Sequence, residues 1–106
     1  MGRPPFVVSC VPCDSYGRAA VEEAVREAFR LCRFFPLEAV PTLLKANLLS
    51  PSDPSRAVTT HPEILRALLT ELIKAGCPDV MIGDNPGYIF RHQEKALFQK
   101  TGVSEI

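Results

Sequence analysis

The chain has 106 residues, 46% of them hydrophobic, and its 12 basic residues are balanced by 12 acidic ones. This length predicts one domain, and a balanced charge without a basic cluster argues against a nucleic-acid partner. No apolar run approaches the roughly 18 residues that a membrane helix needs. The N-terminal residues carry neither a secretory h-region nor a myristoylation pattern. We therefore expect a cytoplasmic protein that does not associate with membranes.

The first half of the chain predicts a strand followed by a helix. Residues 6–11 (FVVSCV) are rich in strand-forming side chains. Apolar residues at helical spacing then predict a helix over residues 18–33. Asp14 and Ser15 precede this helix with oxygens that can cap it.

The second half predicts a strand, a well-bounded helix and another strand. Residues 41–48 are expected to form the second strand. Residues 79–83 (DVMIG) are apolar almost throughout, as in a strand covered on both faces. Between them, Thr60 and Glu63 match a capping box at a helix start, and Gly76 is expected to end that helix in a left-handed conformation.

Strands that alternate with helices predict parallel pairing through β-α-β crossovers. The expected fold is α/β, a small three-layer sandwich with a short, mainly parallel sheet of about three to four strands. A weaker third helix is predicted over residues 92–100. So narrow a sheet has two exposed edges, which we expect to be covered by a homo-oligomer or by a further C-terminal portion of the domain.

Polar residues follow the predicted strands, at the edge of the sheet where ligands bind in open α/β folds. The candidate ligand-binding residues are Lys45, Asn47, Thr59, Thr60, His61, Asp84 and Asn85. A lysine, amides, hydroxyls and helix N-terminal amides favour a phosphate or a carboxylate. Turn and cap chemistry also accounts for these residues taken singly. No catalytic motif accompanies them, so the sequence does not establish whether the chain is an enzyme.

The cysteines supply an alternative. Cys10 and Cys13 form a C-x-x-C between a predicted strand and a predicted helix, which suits a thiol-redox or metal site. No second such motif exists, and no other metal site is predicted. Cys32 and Cys77 are expected to be reduced and buried. A further alternative is a structural or interaction fragment without a site of its own.

Three runs carry a family resemblance: LLKANLLSP, AVTTHPEILRALLTELIKAG and VMIGDNPG. Together they resemble the prokaryotic domain of unknown function 362, over about Val7 to Gly102. The chain departs from the usual family residues at Ala46, where proline is common, and at Asn85, where serine is common.

The resemblance also implies a setting for the chain. It implies that residues 1–106 form a single α/β domain that is the N-terminal portion of a longer family domain. Because some members carry a ferredoxin-like module, it also implies an iron–sulphur or redox context for the full protein. It places no iron–sulphur cluster on this chain.

Overall fold

The computed structural model describes residues 6–33, 40–84 and 94–106. Within these ranges the helices are α1 (Arg18–Leu31), α2 (Pro62–Lys74) and α3 (Glu94–Lys100), and the strands are β1 (Thr42–Lys45) and β2 (Val80–Gly83). Short 3-10 turns lie at Pro54–Arg56 and Val103–Glu105. No helix in the described ranges is long and apolar enough to cross a membrane.

The two strands are parallel, as the alternation of strands and helices predicts. Their register pairs Thr42 with Val80 and ends with Lys45 opposite Gly83. The ladder continues beyond the last strand pair, because the Ala46 amide donates to the Gly83 carbonyl at 3.0 Å. With α2 as the connection, residues 42–83 form the predicted β-α-β unit, which confirms the α/β class.

The sheet has two strands in the described residues, fewer than the three to four predicted. The missing one is the predicted strand over residues 6–11, which forms no strand. Phe6 and Val8 are 104% and 89% exposed. Strand-forming composition was insufficient here because a strand is stabilised by cross-strand pairs and burial, not by its own backbone preference.

The core lies on one face of this sheet. Ala46 and Leu48, which continue β1, pack with Leu65 of α2, Leu97 of α3 and Val103. The opposite face carries Leu43 and Met81, which are register partners and are 59% and 64% exposed. The described helices thus cover one face, whereas a three-layer sandwich would cover both.

The start of α2 differs from the predicted capping box. His61 is the N-cap residue, and its Nδ1 accepts a hydrogen bond from the Glu63 amide at 3.2 Å. Thr60 lies one residue before this N-cap, and its hydroxyl accepts a bond from the amide of Asn47 instead. The helix end agrees with prediction, since Gly76 follows the C-cap with a φ of +92°.

α1 is close to its predicted limits, and α3 ends at Lys100 as predicted. Gly17 is the N-cap of α1 and makes no side-chain cap, although the Ser15 hydroxyl accepts a bond from the Gly17 amide. Asp14 likewise is not the cap. α1 packs against α2 and contributes the buried Val21. The predicted start of the third helix, at His92, lies outside the described residues.

Candidate functional site

An ion pair stands at the carboxyl ends of the two strands. Lys45 is the last residue of β1, and Asp84 follows the last residue of β2. The Lys45 Nζ lies 2.9 Å from the Asp84 Oδ1. The two side chains differ greatly in exposure, at 70% for Lys45 and 5% for Asp84. The pair therefore presents an ammonium group to solvent above a buried carboxylate.

The buried carboxylate has a second role in the backbone. Its Oδ2 accepts a hydrogen bond from the Leu48 amide at 2.7 Å. A hydrogen bond to a charged group contributes about 1.5–3 kcal/mol, whereas an exposed ion pair contributes about 0–1 kcal/mol. Asp84 thus ties the end of β2 to the chain that leaves β1, and at the same time fixes the position of the Lys45 ammonium.

The chain before α2 returns to the same edge through a reciprocal pair of bonds. The Asn47 amide donates to the Thr60 hydroxyl at 3.0 Å, and the Thr60 amide donates to the Asn47 carbonyl at 2.9 Å. Asn47 is exposed. Thr60 therefore sets the backbone of Asn47, and the Asn47 side chain stands at the surface.

Thr59, which precedes Thr60 in the sequence, carries a side-chain oxygen that has no hydrogen-bond partner. Its Oγ1 is buried and makes no hydrogen bond in the described structure. A buried polar group without a partner costs about 1–3 kcal/mol, and native structures contain few such groups. A water molecule or a ligand atom is needed to satisfy the Thr59 hydroxyl.

His61 points its ring elsewhere. The ring stacks on Tyr16 with centroids 3.7 Å apart and an interplanar angle of 5°. Because Nδ1 accepts the Glu63 amide, the neutral ring carries its proton on Nε2. His61 thus joins the segment before α1 to the start of α2, and no described contact joins it to Lys45 or Asp84.

The expectation that bare amides of α2 would attract an anion is wrong. The Ile64 and Leu65 amides both donate to the His61 carbonyl, at 3.0 and 3.4 Å. The Glu63 amide is taken by the His61 ring, and Pro62 has no N–H. The first turn of α2 therefore has no amide left for a ligand.

The loop between β1 and α2 is ordered by its own side chains. Asp53 caps the Pro54–Arg56 turn by accepting from the Ser55 amide at 2.9 Å and from the Ser55 hydroxyl at 2.6 Å. The hydroxyl bond, followed by the amide bond, holds the pKa of Asp53 below its ordinary value. The Asp53 carboxylate therefore stabilises the turn.

Cys10 and Cys13 lie in a different part of the molecule. Both are free and exposed, and the Cys13 thiol donates to the Ser15 carbonyl at 3.2 Å. Residues 11–15 line a groove of about 510 Å³ along α1, not at the strand ends. In the described ranges no group of three His, Cys, Asp or Glu side chains is arranged to hold a metal ion. Cys77 is buried as predicted, and Cys32 is half-buried.

The structure therefore brings together most of the predicted residues. Lys45 contacts Asp84, and Asn47 contacts Thr60, at one edge of the sheet. Asn85 lies outside the described residues. Sequence reasoning missed the Leu48 amide as a partner of Asp84, and it missed Tyr16, because neither a backbone amide nor a lone aromatic residue leaves a motif.

Comparisons with known proteins yield one match. No curated protein and no solved structure matches the chain. The family model described as Domain of unknown function (DUF362) matches residues 42–106. This range contains the β-α-β unit and every candidate residue from Lys45 to Asn85, but it does not extend back towards Val7. Since more than half of the chain is matched, the protein belongs to the DUF362 family.

Proposed function

We propose that the strand-end edge binds a small anion of the phosphate or carboxylate class, with Lys45, Asn47 and Thr59 as its donors. The observation that carries this proposal is the Thr59 hydroxyl, which is buried and has no hydrogen-bond partner. Rotation of this side chain towards the strand-end edge would let the hydroxyl donate to a ligand oxygen, and this bond would recover the cost of its burial.

The ammonium group of Lys45 supports an anionic ligand. Lysine has three N–H donors, and one of them faces Asp84 Oδ1 at 2.9 Å. Because the side chain is 70% exposed, the other donors remain open to a ligand. Such a position, at the carboxyl ends of parallel strands, is where open α/β sheets bind ligands.

The remaining candidates divide into positioning and contact roles. Asp84 would position Lys45, and Thr60 would position Asn47, without themselves contacting the anion. His61 would hold the start of α2 against Tyr16. Asn85 stays in the proposed ligand set because it directly follows Asp84 in the chain.

The Asp84 carboxylate also sets the expected strength of binding. Its negative charge lies beside the Lys45 ammonium and repels an incoming anion. We therefore expect weak binding that declines as salt is added, because the exposed ammonium is screened.

Amide chemical shifts measured during titration with inorganic phosphate, and separately with acetate, test the proposal. The ionic strength is held constant with chloride. Saturable shifts at the amides of Asn47, Thr59 and Thr60 are expected with at least one of the two anions. Shifts that do not saturate, or that are absent from these residues with both anions, would contradict it.

A pair of threonine variants sharpens this test. Thr59→Val removes the unpartnered hydroxyl and keeps the side-chain shape, so affinity should fall about tenfold, the effect of losing one hydrogen bond. Thr70→Val is the matched control, because the Thr70 hydroxyl donates to the Arg66 carbonyl within α2. It should bind as the original chain does. Equal affinity of Thr59→Val and the original chain would remove Thr59 from the site.

A further inference from the structure

Residues near the N-terminus form an arm that has strand chemistry but no partner among the described strands. The arm comprises residues 6–11, and it makes no sheet pairing. Phe6 and Val8 are 104% and 89% exposed, and Val7 is 55% exposed. In an extended strand, Phe6 and Val8 would lie on the same face. The arm therefore offers one apolar face and a full row of backbone donors and acceptors.

The sheet has an unpaired edge along β1 in the described residues, to which such a strand could bond. The amides of Thr42 and Ala46 donate to β2-side carbonyls, at 2.8 and 3.0 Å. In a parallel ladder the alternate residues direct their peptide groups to the other side. The peptide groups of Leu43 and Lys45 thus face away from β2, where the described residues supply no strand.

The outer face next to this edge carries two exposed apolar side chains. Leu43 and Met81 lie opposite each other in the register and are 59% and 64% exposed. An exposed edge beside an exposed apolar face is a site for pairing with another strand. Phe6 and Val8 are side chains of the kind that would cover it.

The arm starts beside α1, on the helical side of the sheet. Residues 11–15 lie along α1, and Tyr16 stacks on His61 at the start of α2. α2 packs on the inner face through Leu65, so these contacts belong to the helical side.

We propose that the arm of one copy adds as a strand to the β1 edge of a second copy. Backbone bonds to Leu43 and Lys45 would set the register, and Phe6 and Val8 would pack over Leu43 and Met81. Pairing with a second copy leaves the contacts of residues 11–16 in place. Reciprocal exchange of two arms closes the assembly as a dimer.

Sedimentation velocity over a concentration series tests the dimer. The original chain should pass from monomer to dimer as its concentration rises. The double variant Phe6→Ser with Val8→Asp should weaken the dimer at least about tenfold, because it removes the apolar face of the arm. Its melting temperature at low concentration should not change, since both side chains are exposed. Ile73→Asp is the control: Ile73 is 59% exposed on α2, so the dimer should persist.

Mixing two defective chains identifies the partners of the contact. A second chain carries Leu43→Lys with Met81→Lys and keeps its arm. Each defective chain alone should be weakened as a dimer, and a mixture should form a one-to-one complex, because one arm and one edge remain intact. A synthetic peptide of residues 5–12 should dissociate the original dimer without requiring any variant to fold. A monomer at all concentrations, or an arm variant that dimerises normally, would overturn the proposal. So would a mixture that forms no complex while the peptide has no effect.

Discussion

Two segments of this chain have similar apolar sequences but differ in structure. Residues 6–11 (FVVSCV) stay exposed, whereas residues 42–48 (TLLKANL) form β1 and its buried continuation. The second segment is held by the carboxylate of Asp84, by the hydroxyl of Thr60 and by pairing with β2. Strand formation here therefore depends on bonds from distant parts of the chain more than on local composition.

The helices also differ in how deeply they are buried. α2 packs into the core through Leu65, while α1 lies on α2 with Val21 as its buried residue. Exposed ion pairs add to the α1 contact, with Arg18 3.5 Å from Glu63 and Arg26 3.5 Å from Glu71. Such pairs contribute about 0–1 kcal/mol each, so α1 should be the less firmly held helix.

The largest expected difference between the β1 segment and the arm is in the free energy of unfolding that is lost when an apolar side chain is truncated. Leu48 is 0% exposed, so Leu48→Ala should lower the free energy of unfolding by about 2–5 kcal/mol. Val8→Ala, in the arm, should change it by less than about 0.5 kcal/mol in dilute solution. Urea denaturation measures both. Similar losses for the two variants would show that the arm is buried in solution.

The next effect concerns the ion pair at the strand ends. Asp84→Ala removes the acceptor of the Leu48 amide altogether and should cost about 1.5–3 kcal/mol. Lys45→Met leaves the bond from the Leu48 amide in place and should therefore cost less than the loss of Asp84. Urea denaturation again gives both values. If the two losses are equal, the ion pair and not the backbone bond is the main contribution of Asp84.

A smaller effect on stability is expected at His61, which joins the segment before α1 to the start of α2. His61→Ala removes the α2 cap and the Tyr16 stack and should cost about 1–2 kcal/mol. His61→Asn keeps an oxygen that can cap the helix and loses only the stack, so it should cost less. Tyr16→Ala, which leaves the cap, should match His61→Asn. Thermal and urea unfolding would contradict this division if His61→Asn were as damaging as His61→Ala.

The smallest effect concerns the carboxyl groups of Glu27 and Asp53, whose pKa values are lowered by different partners. A hydrogen bond from the Arg30 guanidinium lowers the pKa of Glu27 in α1, with added charge attraction. The hydroxyl and amide of Ser55 lower the pKa of Asp53 in the loop. High salt should raise the pKa of Glu27 more than that of Asp53, because salt screens an exposed ion pair. Carboxyl NMR titration at low and high salt measures both values.

The direction of each shift also fixes its effect on stability. A carboxyl group whose pKa is lower in the folded chain stabilises the fold above its ordinary pKa, and this contribution is lost as the pH falls through the folded value. Ser55→Ala should raise the pKa of Asp53 towards its ordinary value and leave that of Glu27 unchanged. An unchanged Asp53 in this variant would show that the amide bond alone accounts for the shift.

Local signals in the sequence predicted much of the central unit. Pro62 in the first turn and Gly76 after the last one marked the limits of α2 closely, because proline and glycine restrict the backbone directly. The apolar run at residues 79–83 predicted β2, and the alternation of elements predicted its parallel pairing. The positions of Lys45 and Asp84 at neighbouring strand ends followed from that topology.

The failures of prediction share one physical cause. Thr60 matches a helix cap, but its hydroxyl bonds to Asn47, so His61 takes over the cap. Residues 6–11 match a strand, but no described strand pairs with them. In each case a local preference of about 1 kcal/mol was decided by a partner distant in the sequence.

Signals between near neighbours thus specify the β-α-β order, the limits of α2 and the placement of polar residues at the strand ends. The tertiary structure alone decided how those polar groups are used. It assigned the Asp84 carboxylate to the Leu48 amide and left the Thr59 hydroxyl without a partner. Periodicity and turn chemistry act between near neighbours, whereas these bonds depend on the three-dimensional distances that packing sets.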